Sequence, residues 1–242
     1  MKKKILAMCL AMSLVCVQFA ACGSEDKKDS DKKTEAASEE KDSEKDSKEE
    51  EKTEEKKEET KIKAERGTVA DGVYKNESMG VSFPVADNMI VCSDEQIAQT
   101  LSIGSDMISD NSKYTAEDME EAMKGAMYDT IILFSDNSSN VSVIYEDMDK
   151  SQAVALDEEQ YLKALSNNLT SVGMGYEIGE TTKQDIGGTE FSTLTATASG
   201  FTQKYCLHQV GNYMIEFIFT YTEASQAEVD SFISSITFES PL

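Results

Sequence analysis

Hydrophobic and polar residues alternate along the last third of the chain, and a period of two is typical of β-strands that bury one face. Five consecutive segments show this alternation: residues 176–180, 182–186, 189–198, 201–210 and 213–221. Gly187-Gly188 and Gly211-Asn212 separate two pairs of these segments. Such residues favour tight hairpins because the central turn positions take positive φ. The pattern therefore predicts an antiparallel meander.

Apolar residues recur at helical spacing in residues 114–127, 157–172 and 223–235, and a further short helix is predicted from Asp94. The first of these helices carries a methionine stripe that we interpret as core-filling: Met119, Met123 and Met127. The second has its apolar stripe at Tyr161, Leu162, Leu165 and Leu169. In the third helix, the residues predicted to be buried are Ala224, Ala227, Phe232 and Ile233.

Four shorter apolar segments, residues 80–84, 88–92, 130–134 and 141–146, predict further strands. Pro84 ends the first because proline lacks a backbone donor. Helical segments occur both before and after the meander, which indicates that helices cover both faces of the sheet. The sequence thus predicts an α+β fold, a twisted antiparallel sheet flanked by helices on both faces.

The N-terminus has the features of a bacterial export signal. Three lysines at positions 2–4 precede an apolar run over residues 5–21, which ends in Phe19-Ala20-Ala21 before Cys22. This arrangement resembles the lipobox of bacterial lipoproteins, which implies cleavage before Cys22 and a diacylglyceryl group on its thiol. Two acyl chains hold a protein stably on a membrane. An uncleaved anchor is the alternative, because the run is about long enough to span a bilayer.

The next segment, up to Arg66, consists almost wholly of Glu, Lys, Asp, Ser and Thr. Such a composition predicts a disordered linker, with a reach on the order of 35–40 Å as a flexible coil. The remainder is long enough for one domain with a substantial core. We therefore predict a lipoprotein signal peptide over residues 1–21, a lipidated cysteine and charged linker over 22–66, and a single α+β domain over 67–242. The expected location is the outer face of the cytoplasmic membrane, with the membrane contacted through lipid on Cys22.

The net charge of the chain indicates which classes of partner suit it. The chain has a formal net charge of −23, and the 28 acidic and 7 basic residues after Arg66 give the predicted domain a net charge of −21. Nucleic acids and nucleotides are poor ligands for such a domain, because their affinity depends on neutralising phosphate. Cationic ligands, metal ions and basic protein surfaces fit better. The alternative is that the charge only keeps an exported protein soluble.

Several local motifs agree with this order of elements: Tyr74-Lys-Asn-Glu-Ser-Met-Gly80-Val-Ser-Phe-Pro84, Ile186-Gly-Gly-Thr-Glu-Phe191, Gly211-Asn-Tyr213 and Phe232-Ile-Ser-Ser-Ile236-Thr-Phe238. They resemble exported lipoproteins of Gram-positive bacteria with a PsbP-like α/β/α sandwich domain. The resemblance spans most of residues 72–238. It implies a binding or assembly role, with no shared catalytic residues and no cofactor.

Three carboxylates are candidates for metal ligands: Asp136, Asp147 and Asp149. The segment from Asp136 to Asp147 has the length of an EF-hand loop, but Val141 stands at the sixth position, where that loop has glycine. Cys92 and Cys206 are the cysteines of the predicted domain. They could form a disulfide in an oxidising exterior, or remain buried thiols.

His208 is the only histidine in the chain, and strand alternation places it on the same side as Cys206. Neighbours at i and i+2 on a strand lie about 6.5 Å apart, too far for a Cys–His nucleophile pair. We therefore predict a non-catalytic binding or assembly module whose partner is an envelope protein or a glycan, with a cationic partner suited to the charge. The alternatives are a calcium- or cation-binding surface protein and a cell-envelope hydrolase, which would require Glu216 or His208 in a deep pocket.

Overall fold

The structure of the protein is a computed structural model that describes residues 62–111, 117, 123–151, 156–171 and 174–239. These residues form antiparallel sheets with a few helices, so the α+β class predicted from the sequence is confirmed. The predicted signal peptide, Cys22 and the predicted linker up to residue 61 lie outside the described residues.

Two antiparallel sheets contain the described strands. The strands are β1 (Thr68–Ala70), β2 (Val73–Asn76), β3 (Val81–Pro84), β4 (Ile90–Val91), β5 (Ala126–Leu133), β6 (Asn140–Asp147), β7 (Glu177–Ile178), β8 (Thr182–Ile186), β9 (Thr189–Ala198), β10 (Phe201–Val210), β11 (Tyr213–Thr222) and β12 (Thr237–Phe238). The large sheet has eight strands in the order β4-β5-β6-β11-β10-β9-β7, and β8 also pairs with β9. The small sheet has the order β1-β2-β3-β12. The meander from β8 to β11 follows the segments predicted from the alternation.

Helices lie on both faces of the large sheet, as predicted. Helices α1 (Asp94–Asn111) and α2 (Glu158–Ser171) cover one face, which we call the helix face. The other face is covered by α3 (Gln226–Ser235), which a short 3₁₀ turn over Glu223–Ser225 precedes, together with the small sheet. The second sheet was not predicted from the sequence.

Helix α2 contributes four apolar side chains to the core on the helix face. Its four predicted apolar residues, Tyr161, Leu162, Leu165 and Leu169, are all fully buried. They pack against residues of the central strands that point to the same side, including Leu207 of β10 and Ile218 of β11. Each buried leucine contributes about 1.5–3 kcal/mol through removal of apolar surface from water. The helical spacing of these residues thus determines which side of α2 meets the sheet.

Aromatic side chains fill the opposite face. Tyr74 of β2 stacks on Phe83 of β3 with ring centroids 4.3 Å apart, and Phe83 contacts Phe232 of α3 at 5.1 Å. Phe232 also meets Phe134 edge to face at 5.2 Å. Such pairs add roughly 0.5–1.5 kcal/mol beyond burial of their area. They join the small sheet and α3 to the large sheet in one core.

Parts of the sequence prediction are wrong. Met127, predicted on the helical methionine stripe, lies in strand β5, which begins at Ala126. Most of that predicted helix, including Met119, falls outside the described residues. Ala224 and Ala227 are exposed rather than buried, and Val229 takes their place in the core. The predicted helix includes residues 223–225, but these form a 3₁₀ turn and α3 begins only at Gln226.

The residues before β1 are attached to the body, although they were predicted as linker. Arg66 forms an ion pair with Asp94, its Nη1 lying 2.6 Å from Oδ1, and its Nη2 donates to the backbone carbonyl of Asp129 at 2.7 Å. The buried carboxylate of Asp129 accepts hydrogen bonds from Gly67 N at 2.8 Å and from the Tyr74 hydroxyl. Burial raises the pKa of Tyr74, so its hydroxyl remains a donor. The body therefore begins before residue 67.

Replacement of Asp129 tests this attachment. We expect Asp129→Ala to lower the free energy of unfolding by about 3 kcal/mol, because it leaves the buried donors of Gly67, Tyr74 and Asn76 without their acceptor. Asp94→Ala is the matched control, since it removes the exposed partner of Arg66 and should cost less than about 1 kcal/mol. Chemical denaturation measures both. Equal losses would mean that the buried carboxylate does not hold the junction.

Candidate functional site

Strands β9 and β10 separate at one end of the large sheet. Their pairing stops at Ser192↔Leu207, although β9 stays paired with β8, and β10 with β11, to the ends of the strands. The backbones of residues 189–191 of β9 and 208–210 of β10 are therefore separated by an opening instead of being paired. We call this opening, with these six residues at its sides, the strand split.

The turn between β8 and β9 explains the separation. Gly187 in this turn has φ +62°, and a Cβ there would lie 2.8 Å from the carbonyl oxygen of Ile236 and 2.9 Å from Phe238 N. Only glycine permits so close an approach of the turn to β12. Phe191 follows the turn and packs on Phe217 and Phe238. The start of β9 is thus drawn towards β12, away from β10.

Glu158, the first residue of α2, closes the split from the helix face. Its Oε1 accepts a hydrogen bond from the backbone N–H of Gln209 at 3.0 Å, in the place of a neighbouring strand. Its Oε2 accepts one from the Ser192 hydroxyl. Lys183 Nζ lies 2.7 Å from Ser192 Oγ and 3.4 Å from Glu158 Oε2. One carboxylate therefore satisfies the polar groups that the split leaves exposed.

His208 reaches the same carboxylate from the opposite face. Its ring packs on Phe191 and Phe238, and its buried Nδ1 lies 3.4 Å from Glu158 Oε1 without the alignment of a hydrogen bond. Burial alone would raise the pKa of Glu158, but the contacts with His208, Ser192 and Gln209 N, with the charge of Lys183, lower it to about 2. Glu158 is therefore an anion at neutral pH, and the split connects the two faces of the sheet through polar groups.

A groove of about 490 Å³ opens beside the split. Residues 187–189 and 208–211 line it together with Phe238 and Glu239. Ile62, the first described residue, packs against Gly211 at the edge of this groove: its Cδ1 would lie 3.3 Å from a Cβ at that position. The volume lies in the range of about 300–1,000 Å³ that is usual for ligand sites.

The split does not present a nucleophile. Ser192 has a charged amine and a carboxylate as neighbours, which is an arrangement that could activate a hydroxyl, but its side chain is fully buried. Cys206 is also fully buried, and burial raises its thiol pKa to about 12. A nucleophile must be both activated and within reach of a substrate. The arrangement suits recognition of a ligand in the groove better than reaction with it.

A second polar cluster lies inside the helix face. Glu146 of β6 and Glu216 of β11 are both fully buried. The Tyr161 hydroxyl of α2 lies 2.5 Å from Glu146 Oε2 and 3.2 Å from Glu216 Oε1. Burial is the main cause of a raised pKa at Glu146, whose carboxyl also faces Glu216. The raised pKa favours a proton shared within the pair. Glu216 therefore lies in the core and not in a deep pocket.

The metal-ligand candidates do not come together. Asp136 lies in the turn before β6 and Asp147 lies at the far end of that strand, whose eight extended residues span about 23 Å. Asp136 accepts hydrogen bonds from Ser138 N and Ser139 N in the β5–β6 turn, and its pKa is lowered to about 2 because these bonds outweigh burial. Asp147 binds Lys150 Nζ at 2.8 Å and accepts from the backbone N–H of Asp149. The described residues contain no group of three potential metal ligands among His, Cys, Asp and Glu.

Cys92 and Cys206 do not form a disulfide in the structure. Cys92 packs in the core of the helix face, and Cys206 packs in the aromatic core on the other side of the sheet. A disulfide requires Cα atoms within about 7 Å and facing side chains, so the intervening sheet prevents it. The possible bond considered from the sequence is therefore corrected. His208 and Cys206 do share the aromatic face, as strand alternation predicted.

No protein-family model matches the chain, and a search of curated proteins finds no relative. Several solved structures are similar to it, including the following three. The cyanobacterial PsbP of Synechocystis, CyanoP, has 16% sequence identity and a TM-score of 0.42, over 69% of this chain and 91% of that chain. LpqN of Mycobacterium tuberculosis, involved in cell envelope biogenesis, has 10% identity and a TM-score of 0.37, over 65% and 82%. A Bacteroides thetaiotaomicron protein has 12% identity and a TM-score of 0.35, over 72% and 48%. In the described part of the chain, no helix combines the length and the apolar character needed to cross a membrane.

The buried pair predicts a loss of stability as pH rises. The folded protein holds the proton of Glu146 more tightly than the unfolded chain does, so this contribution is full below pH 4.5 and is lost as pH rises through the folded pKa. We expect Glu146→Gln to remove this loss, which is about 1.4 kcal/mol for each unit of pKa shift. Urea denaturation of both proteins from pH 4 to pH 9 measures the difference. Glu177→Gln, at an exposed position, is the control and should follow the pH dependence of the native protein. If the stability of Glu146→Gln also follows that pH dependence, the shared proton is contradicted.

The ionised carboxylate of Glu158 predicts the opposite trend, a loss of stability as pH falls. Because the pKa of Glu158 is lowered from 4.5 to about 2, its stabilising contribution is present above pH 4.5 and disappears as pH falls towards 2. We expect Glu158→Gln to lower the free energy of unfolding by about 2 kcal/mol at pH 7, after allowance for its partial exposure, and by almost nothing at pH 2. Glu159→Gln, at the exposed neighbouring position, is the control and should show no such trend. A deficit of constant size at all pH values would exclude the ionised carboxylate as its cause.

Proposed function

We propose that the protein is a lipid-anchored, extracytoplasmic binding or assembly module without catalytic activity. The observation that carries this proposal is the position of the groove. It lies beside Gly211, on which Ile62, the first described residue, packs. A recognition surface at the root of a tether suits a protein that holds a partner near a membrane.

The chemistry of the described residues supports a role without catalysis. Ser192, Glu146 and Glu216 are side chains of types that can act as nucleophile, acid or base. Ser192 is buried, and α2 covers Glu146 and Glu216. A catalytic acid or base must lie within reach of the proton that it transfers. These side chains stabilise the sheet instead of facing a substrate.

The charge of the body supports a protein or glycan partner with basic groups. A net charge of −21 after Arg66 attracts cationic surfaces and repels phosphate-bearing ligands. Nucleic acids, nucleotides and anionic lipid surfaces are therefore excluded from the proposal. The body would contact the membrane only through the lipid on Cys22.

Modification of Cys22 provides the first test. We expect the detergent-extracted protein to begin at Cys22 with a diacylglyceryl group on the thiol, as measured by mass spectrometry. Cys22→Ser should prevent acylation and cleavage, so the unprocessed chain keeps residues 1–21. An unmodified thiol at Cys22 in the native protein would contradict the lipid anchor.

Cross-linking in intact cells tests the binding role of the same protein. We expect a membrane-impermeant cross-linker to join the native chain to one recurring envelope component. The test variant is Glu239→Lys, which reverses a charge at the groove and should reduce the yield of that product. The matched control is Glu223→Lys, which reverses a charge at the other end of β11 and should leave the yield unchanged. If both variants give the native product in equal yield, the groove is not the binding surface.

A further inference from the structure

We propose that the strand split binds an extended, basic segment of a partner polypeptide, an inference that rests on the proposed function. The segment would lie in the groove between residues 187–189 and 208–211 and pair with a strand end there. Addition of a strand to an exposed sheet edge is a recurring mode of peptide recognition.

The register of the sheet supports a strand-like ligand. The next antiparallel pairs after Ser192↔Leu207 would be Phe191 with His208 and then Glu190 with Gln209, and neither pair is formed. Gln209 N already donates to Glu158 from the helix side. The split is thus closed on the helix face and open on the side of the groove. A ligand entering from the groove meets two strand ends that are not paired with each other.

The shape of the groove supports an approach by a peptide backbone. Gly188 has no atom within 4 Å of the position where a Cβ would lie, so the turn presents bare backbone to the groove. Gly211 lies on the opposite side of the groove, where the Ile62 side chain packs on it. Glycine lets a second backbone approach closely because no side chain intervenes. His208 and Phe238 supply ring surfaces between these two turns.

The charges favour lysine or arginine in the ligand. Glu239 lines the groove and is exposed. Glu158 lies behind His208, with its Oε1 3.4 Å from Nδ1. The nearby cation, Lys183, is directed to Ser192 and Glu158 on the helix face and does not line the groove. A basic ligand in the groove therefore meets the Glu239 carboxylate, and no lysine lines the groove beside it.

Fluorescence anisotropy with a defined peptide tests the proposal. The protein is the full chain in detergent, and the probe is a fluorescein-labelled pentapeptide Val-Lys-Val-Lys-Val. We expect saturable binding that Glu239→Lys weakens by about fivefold or more, whereas Glu223→Lys changes it less than about twofold. Both variants alter an exposed glutamate by the same two charges, so the comparison separates the groove from the general field of the body.

Two further peptides test the mode of binding. Val-Glu-Val-Glu-Val should not bind, because its charge is reversed. The lysine peptide with an N-methyl group on its central residue should lose most of its affinity, because it lacks a backbone donor for strand pairing. If it binds as well as the parent peptide, or if the two charge variants weaken binding equally, strand addition at the split is wrong.

The occupant is tested with the linker of the chain itself. Lys56, Lys57 and Lys61 precede Ile62 and could reach the same groove. If the lysine peptide binds only when these three residues are changed to glutamine, the linker is the occupant, and the proposal of a partner segment is overturned. Absence of binding to all of these proteins also overturns the inference. The lipid on Cys22 and the cross-linked product in cells would still support the proposed function.

Discussion

Strands β6 and β11 lie side by side in the large sheet, and β6 is buried at every residue while β11 is buried at all but its last. A polar side chain in these strands cannot reach water from either face, so it must find its partners inside the protein. Glu146 and Glu216 satisfy this condition with Tyr161 from α2. Tyr145 satisfies it on the other face, where its hydroxyl lies 2.9 Å from that of Tyr74. The two covering layers therefore supply polar partners as well as apolar contacts.

The same constraint accounts for the strand split. A backbone N–H that loses its strand partner inside a sheet costs free energy unless another acceptor replaces it. Glu158 is that acceptor for Gln209, and it stands at the start of α2, where a negative charge is favourable. The helix that covers the sheet thus also closes the gap in it. This arrangement gives the N–H of Gln209 an acceptor while the turn at Gly187 approaches β12.

The sequence predicted the meander well because its signals are local. Strands β8, β9 and β10 begin and end where the alternation does, and the glycine turns lie between them. The prediction was less successful where the structure depends on distant contacts. The hairpin of β1 and β2 has few residues, and the pairing of β3 with β12, which completes the small sheet, joins segments far apart in the chain. The methionine stripe failed at Met127 because strand pairing with β6 takes precedence over helical spacing.

The candidate site was partly visible in the sequence. His208 was recognised as the only histidine and was placed on the correct face. Glu158, Ser192 and Lys183 were missed, because they lie on three elements and no spacing between them marks a site. The end of pairing between β9 and β10 was also hidden, since both segments alternate without interruption through residues 191 and 208. A gap in a sheet is a property of register and turn packing, which a pattern within each strand does not contain.

The attachment of residues 62–67 links the site to the proposed anchor. Ile62 contacts Gly211 beside the groove, and Arg66 binds Asp94 and the carbonyl of Asp129, so the linker enters the body at a defined place. The linker composition predicts a reach on the order of 35–40 Å from the membrane. A partner held in the same membrane would then meet the groove at a high effective concentration, which raises its occupancy without any new contact. A weak contact over three strand residues could therefore serve a membrane-bound partner, whereas a soluble partner of equal intrinsic affinity would be bound far less. In the proposed function, the anchor would thus contribute to the selectivity of the site.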